Sequence, residues 1–370
     1  MMPLPRRHLL GLAAGLGLGA AGLPARALPP RTLVFPRDHG SHPGLRTEWW
    51  YITGQARAAG RAWGFQITFF RSRVQATQEL RSAFAARQLL FAHAALCDVQ
   101  GARLHHDQRI ARAGFGIAQA SETDADVRLQ DWSLQRTDEG PAERYTTRIR
   151  STAFALDLRF ETREHPLLQG RAGLSRKGPE PEQASYYYSR PQLQVSGTLE
   201  LAGQRMEIEA AREPGDSRAW LDHEWSQALM HPEAVGWDWI GMNLFDGGAL
   251  TAFRVRRSDG SALWAGGSLR GADGKVQVFA HDAVRFTPLR HWSSPASGAR
   301  YPVQWQVDTP AGRFTVNALV DDQELDSSAS TGAIYWEGLC SLQKPTGPGQ
   351  EARAGQGYLE MTGYARPLQL

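Results

Sequence analysis

The sequence predicts an all-β protein made of two packed antiparallel β-barrels. Three observations carry this expectation. Apolar side chains alternate with period two in one segment after another, and no long stretch shows the 3.6-residue period of an amphipathic helix. Asp-Gly pairs also punctuate the C-terminal half at nearly even spacing. Alternation places Trp63, Phe65, Ile67 and Phe69 on one strand face, and does the same for Val303, Trp305 and Val307.

The chain opens on an export segment, residues 1–27. Arg6-Arg7 precedes an apolar, glycine-containing run from Leu9 to Leu23, and Ala25-Arg26-Ala27 offers small residues where a signal peptidase cuts. The run is short for a membrane span. The adjacent arginines fit a twin-arginine signal, with an ordinary Sec signal as the alternative. The mature chain, from Leu28, is therefore expected in the periplasm or secreted, and not as an integral membrane protein. Cleavage removes Arg6, Arg7 and Arg26, which takes 41 Lys+Arg to 38 against 38 Asp+Glu. A neutral chain without a basic cluster is a poor nucleic-acid binder, because phosphate neutralisation supplies most of that affinity.

About 340 mature residues suit two domains, expected at residues 28–215 and 216–370. In the first, strands are predicted near Glu48–Gln55, Ala62–Phe70, Leu89–Asp98, Val127–Arg136 and Ala153–Glu161. The polar stretch Gly170–Ala184 reads as a functional loop or lid before Tyr186–Ala211. Glu213-Pro214-Gly215-Asp216 marks the boundary. In the second, Trp237–Phe245, Leu250–Arg257, Leu263–Leu269 and Val276–Ala280 are joined by Asp246-Gly247, Asp259-Gly260 and Asp273-Gly274. Such a meander closes naturally into a barrel. Gln343–Gln356 reads as a loop before a last strand, Gly357–Ala365. Cys97 and Cys340 are the two cysteines; export would permit a disulfide, but nothing in the sequence forces them together.

Several absences exclude whole classes. There is no G-x-S-x-G elbow, no P-loop and no dinucleotide fingerprint. Asp38-His39 with His42, and Asp222-His223-Glu224, offer fragments of a metal site but no full ligand set. No metal or other cofactor is expected.

An ordered set of segments carries a resemblance. It includes Phe35-Pro36-Arg37-Asp38-His39-Gly40, Thr47-Glu48-Trp49-Trp50-Tyr51, Phe91-Ala92-His93, Gly173-Leu174-Ser175-Arg176-Lys177-Gly178, Ser185-Tyr186-Tyr187-Tyr188, Ala219–Trp225, Gly236-Trp237-Asp238-Trp239, Tyr335-Trp336-Glu337-Gly338 and Gly357–Tyr364. Together they resemble the AttH-like "predicted secreted hydrolase" family, related to carotenoid 1,2-hydratases. The resemblance implies two lipocalin-like barrels. It implies function poorly, because a shared fold does not fix chemistry.

The best chemical cluster is Trp220–Trp225. On a strand, Trp220, Asp222 and Glu224 share one face while Leu221, His223 and Trp225 share the other. Two carboxylates two residues apart among indoles repel, so one is expected to stay protonated and able to donate. Hydration of an isolated alkene needs such a donor, with an aromatic wall for the developing cation; Trp220, Trp237 and Trp239 are candidates. The hydratases carry an aspartate where Asp222 stands and a Trp-x-Trp pair like Trp237-Asp238-Trp239. They carry an asparagine where this chain has Glu224. The opposing reading pairs both acids with arginines at a domain junction. Trp49, Trp50 and Tyr187 complete the candidate ligand-binding set, although Glu48-Trp49-Trp50 also reads as core with Glu48 held by an arginine. Two functions follow. One is a carrier of a lipophilic small molecule, an accessory to ABC-transporter components. The other is a hydro-lyase using Asp222 and Glu224, with the hydrolase of the family label as a weaker third.

Overall fold

The computed structural model describes residues 27–368, apart from positions 141, 214 and 229. Among these residues there are twenty-four strands, two single-turn 3-10 helices and no α-helix. No helix is long and apolar enough to cross a membrane. The export segment lies outside the described residues, except for Ala27.

All strand pairs are antiparallel, and they form two sheets of fourteen and ten strands. Across the first, the order runs Arg103–Arg112, Gln88–Asp98, Arg61–Arg73, Thr47–Ala58, Arg218–Ala228, Ala184–Leu201, Phe154–Thr162, Ala142–Arg150, Trp132–Glu139, Asp126–Leu129 and Ala118–Ala120. The ends of this order meet. Arg109 donates to the Arg150 carbonyl and lies 4.8 Å over the Trp132 ring. The sheet is thus a nearly closed barrel, which leaves little exposed edge. Trp50, Trp63, Phe65, Phe69, Trp132, Phe160 and Trp225 fill its interior. Aromatic side chains bury roughly 150–250 Å² each, so this lumen is a packed core.

The second sheet runs Val276–Phe279, Ala262–Arg270, Ala249–Arg256, Gly236–Leu244, Gln350–Met361, Ala333–Gly347, Gly312–Ala318, Arg300–Thr309 and Arg285–Ser293. Its first four strands are the predicted meander. Gly247, Gly260 and Gly274 stand at φ of 93°, 81° and 79° in its turns, a conformation that glycine adopts without steric cost. Tyr301, Trp305, Trp336 and Met361 form its core.

Several boundaries differ from the sequence reading. Arg218–Ala228 is hydrogen-bonded within the first sheet, so the chain crosses to the second between Ala228 and Gly236 rather than at residue 215. Its partners on both sides, Thr47–Ala58 and Ala184–Leu201, come from the N-terminal half, a long-range pairing invisible to local patterning. Val127–Arg136 is a hairpin, broken at Gln130 with φ 57°. Gln343–Gln356 belongs largely to two long paired strands joined at a tight turn that includes Gly349. Cys97 and Cys340 are buried and unpaired.

The outer faces of the two barrels pack together through Tyr51, Trp220, Trp239, Phe253, Leu339 and Tyr358. Gln192 locks the junction: its backbone N–H donates to Asn243, whose amide in turn donates to the Ala219 carbonyl.

Candidate functional site

Period-two alternation gives five neighbouring strands of the first barrel an outward face. Register aligns two rows of side chains on it. One row reads His93, Thr68, Tyr51, Asp222, Ser189; the next reads Phe91, Phe70, Trp49, Glu224, Tyr187. The second barrel covers these rows with Trp237, Trp239, Phe253, Tyr335 and Glu360. A cavity of about 330 Å³ remains between them. This ligand-sized space lies between the barrels rather than in the packed lumen of the first.

Asp222 is 4% exposed and bonded to three neutral groups. Trp220 Nε1 and Ser189 Oγ donate to its Oδ1 at 2.7 and 2.6 Å, and Tyr187 Oη lies 2.7 Å from Oδ2. The Ser189 proton is directed there because Gln169 already donates to Ser189 Oγ at 2.9 Å. Oδ1 is thus fixed as an acceptor, which leaves Oδ2 as the atom that bears a proton. Burial raises the Asp222 pKa to about 7, with the Glu224 charge adding to it, against the pull of the three hydrogen bonds.

Glu224 has a different partner. Lys177 Nζ lies 3.1 Å from its Oε1, over the rings of Tyr187 at 4.5 Å and Phe253 at 4.4 Å. Among the described residues, Glu224 thus pairs with a lysine and Asp222 with neutral groups, where the opposing reading of this motif expects arginines. A carboxylate of the second barrel, Glu360, borders the space as well, with Glu337 beside it. Glu337 and Glu360 are direct cross-strand partners on the face turned to the first barrel. Burial raises Glu360 to about 7, with the Asp222 and Glu224 charges adding to it, and raises Glu337 well above the ordinary carboxylate range, with the Glu360 charge adding to it. Like charges directly opposite one another are destabilising, so such a pair retains a proton near neutral pH.

The structure divides the sequence-predicted set. Asp222, Glu224, Trp49, Tyr187, Trp237 and Trp239 line the cavity. Trp220 stands behind it as a donor to Asp222 and packs edge-on against Trp239 at 6.2 Å. Gly241 makes room for both indoles, since a Cβ there would lie 2.3 Å from Trp239. Trp50 is a correction. It points into the first barrel, stacks on His223 at 4.7 Å and donates to the His39 carbonyl, because neighbours on a strand face opposite ways. Asp238 likewise turns into the second barrel, bound by Arg254, Arg256 and Tyr364, while its two tryptophan neighbours face the cavity.

The metal fragments resolve in the same manner. His223 lies on the opposite face from Asp222 and Glu224, so these three cannot share an ion. His42, Glu48 and His223 do converge inside the first barrel. There Glu48 takes contacts from His42 Nδ1 at 2.7 Å, His223 Nε2 at 3.0 Å, Arg71 Nε at 2.8 Å and Ser41 Oγ at 3.0 Å. Burial opposes its charge, but the hydrogen bonds from His223 and His42 outweigh burial and hold the carboxyl well below its usual range. With a guanidinium already on the carboxylate, the donor set fits a hydrogen-bond network better than a divalent cation.

Sequence reading missed the roles of Lys177, Tyr51, His93, Ser330, Tyr335, Glu337 and Glu360. Lys177 falls in the segment read as a loop or lid, without a partner assigned to it. Glu360 shares a strand face with Tyr358, so alternation contained a signal. The pairing of Glu360 with Glu337 required the register.

Known proteins share this architecture. The AttH-like family model matches residues 26–364. An AttH protein of Nitrosomonas europaea is 44% identical, with a TM-score of 0.81 over 92% of this chain and 99% of that one. Kievitone hydratase from Nectria haematococca shares the fold at 16% identity, with a TM-score of 0.68 over 90% and 93% of the two chains. CghA in complex with Sch210972 also shares it, at 10% identity and a TM-score of 0.52 over 88% and 89%. No curated protein matches the chain. Matched by the family model over nearly its whole length, and by a solved member at 44% identity, the chain belongs to the AttH-like family.

Proposed function

We propose that the cavity between the barrels takes a lipophilic alkene and that Asp222 catalyses addition of water to it. The observation that carries this reading is a carboxyl group poised near neutral pH in an aromatic cavity, with Oδ2 left to hold the proton. The proton passes from Oδ2 to an alkene carbon as a C–H bond forms. The cation that develops on the neighbouring carbon is stabilised by the faces of Trp49, Trp237 and Trp239 and by the Glu224 charge. Water then forms the C–O bond and returns a proton to Asp222, which restores the acid. Lys177 pairs with Glu224 and fixes it in place. The fold likeness to a hydratase supports the same reaction class.

The test is incubation with acyclic polyprenyl alkenes in heavy-oxygen water. Wild type is expected to yield a product one labelled water heavier. Asp222→Asn should lower the rate by about two to four orders of magnitude. Binding without any hydrated product would favour the carrier reading, in which the same substitution leaves affinity nearly intact. We also propose export, on the strength of Arg6-Arg7 and the apolar run that follows.

A further inference from the structure

The cavity has a second polar end, assembled from both barrels. His93 shares a row with Asp222 but lies three strands away, across Thr68 and Tyr51. At ~4.8 Å per strand, that is a span of ~14 Å. Phe70 and Phe91 make the floor beside this path apolar.

Hydrogen-bond direction at this end can be followed from one fixed point. Gln108 Nε2 donates to the Asp326 carbonyl at 3.0 Å, which turns Oε1 toward Ser330. Ser330 Oγ donates to that Oε1 at 2.6 Å. With its proton committed, Ser330 accepts from His93 Nε2 at 2.9 Å. Burial pushes the His93 pKa down to about 3, so the ring is neutral and carries one proton. That proton is on Nε2, and Nδ1 accepts the Tyr335 hydroxyl at 2.8 Å. Every proton in the chain is then committed, and Tyr335 Oη retains acceptor capacity. His93, Ser330 and Tyr335 all line the cavity.

We propose that this end is a recognition subsite for a hydroxyl group, and that the ligand is an elongated apolar molecule with a hydrogen-bond donor ~14 Å from the atom Asp222 addresses. The inference rests on the lipophilic-ligand reading and adds a polarity to it. An alcohol or phenol completes the chain by donating to Tyr335. An ether or ketone oxygen meets only an acceptor there and loses its hydrogen bond to water without replacement.

Farnesol and its methyl ether are the probes, with affinity read from tryptophan fluorescence. Wild type is expected to bind farnesol roughly five- to tenfold more tightly, the worth of one ordinary hydrogen bond. Tyr335→Phe should erase that preference and leave the affinity for the ether within about twofold. Ser330→Ala, which frees the Nε2 proton of His93 as a donor for an ether oxygen, should narrow the preference by a different route. Equal binding of both probes to wild type, or a preference that survives Tyr335→Phe, would overturn the subsite. If neither probe binds, the lipophilic-ligand reading fails, a result distinct from equal binding.

Discussion

Lys177 and Glu224 form an ion pair at 3.1 Å under the cover of Tyr187 and Phe253, whereas Asp222, two residues along the same strand, is met by three neutral donors among the described residues. That difference separates the roles of the two acids. Removing the cation should leave a buried, unpaired charge. Lys177→Met is therefore expected to lose on the order of 3 kcal/mol in chemical denaturation, and adding Glu224→Gln should recover most of it. A Lys177→Met protein as stable as wild type would show that Glu224 does not depend on this partner.

Asp222 should leave a signature in stability against pH. Its folded pKa is raised to about 7 from an ordinary 3.8, so the fold binds this proton more tightly than the unfolded chain does. The stabilisation is fully present below the unfolded pKa and is lost as pH rises through about 7. The amide in the Asp222→Asn variant cannot ionise. The melting temperature of Asp222→Asn, measured relative to wild type, should therefore climb between about pH 4 and about pH 7 and level off above that window. A difference independent of pH would contradict a raised pKa. Using the difference matters because buried His93, lowered to about 3, pushes wild-type stability the opposite way below its ordinary value.

The network around Glu48 should behave as structure. Arg71→Met leaves Glu48 buried without its guanidinium and is expected to cost about 3–5 kcal/mol. Chelator should leave the melting temperature unchanged, and zinc should not raise it. A zinc-dependent rise abolished by His42→Ala would convert the cluster into a metal site.

Much of this was legible in the sequence, for a local reason. Alternation at Trp220–Trp225 separates the cavity-facing acids from the core residues His223 and Trp225, and the Asp-Gly turns lay out the meander. The same rule, applied to Glu48-Trp49-Trp50-Tyr51, divides Trp49 from Trp50, so the correction at Trp50 needed nothing beyond local pattern. What stayed hidden depends on register between distant strands. His93 meets Ser330 and Tyr335 across 237 and 242 residues, and Glu337 faces Glu360 only because two long strands pair in one particular alignment. The crossing between sheets was misplaced for a related reason. The Asp216 backbone N–H does bond back to the Glu213 carbonyl, but the strand that follows returns to the first barrel.

Export is testable independently of the site. Replacing Arg6-Arg7 with two lysines should block transport of the folded protein, and N-terminal sequencing of exported wild type should begin at Leu28. Undiminished export of the double-lysine variant would assign the signal to the Sec route instead.

The central claim is that Asp222 is a neutral acid in the resting protein at about neutral pH. Infrared difference spectroscopy reads this directly, through the C=O stretch of a protonated carboxyl group, with wild type compared against Asp222→Asn to subtract Glu337 and Glu360. The expected result is a band missing from the variant, which titrates away in wild type with a midpoint at about 7. No difference between the two proteins in this band at about pH 6, or a midpoint near the ordinary value of 3.8, would mean that Asp222 is already ionised and cannot be the proton donor.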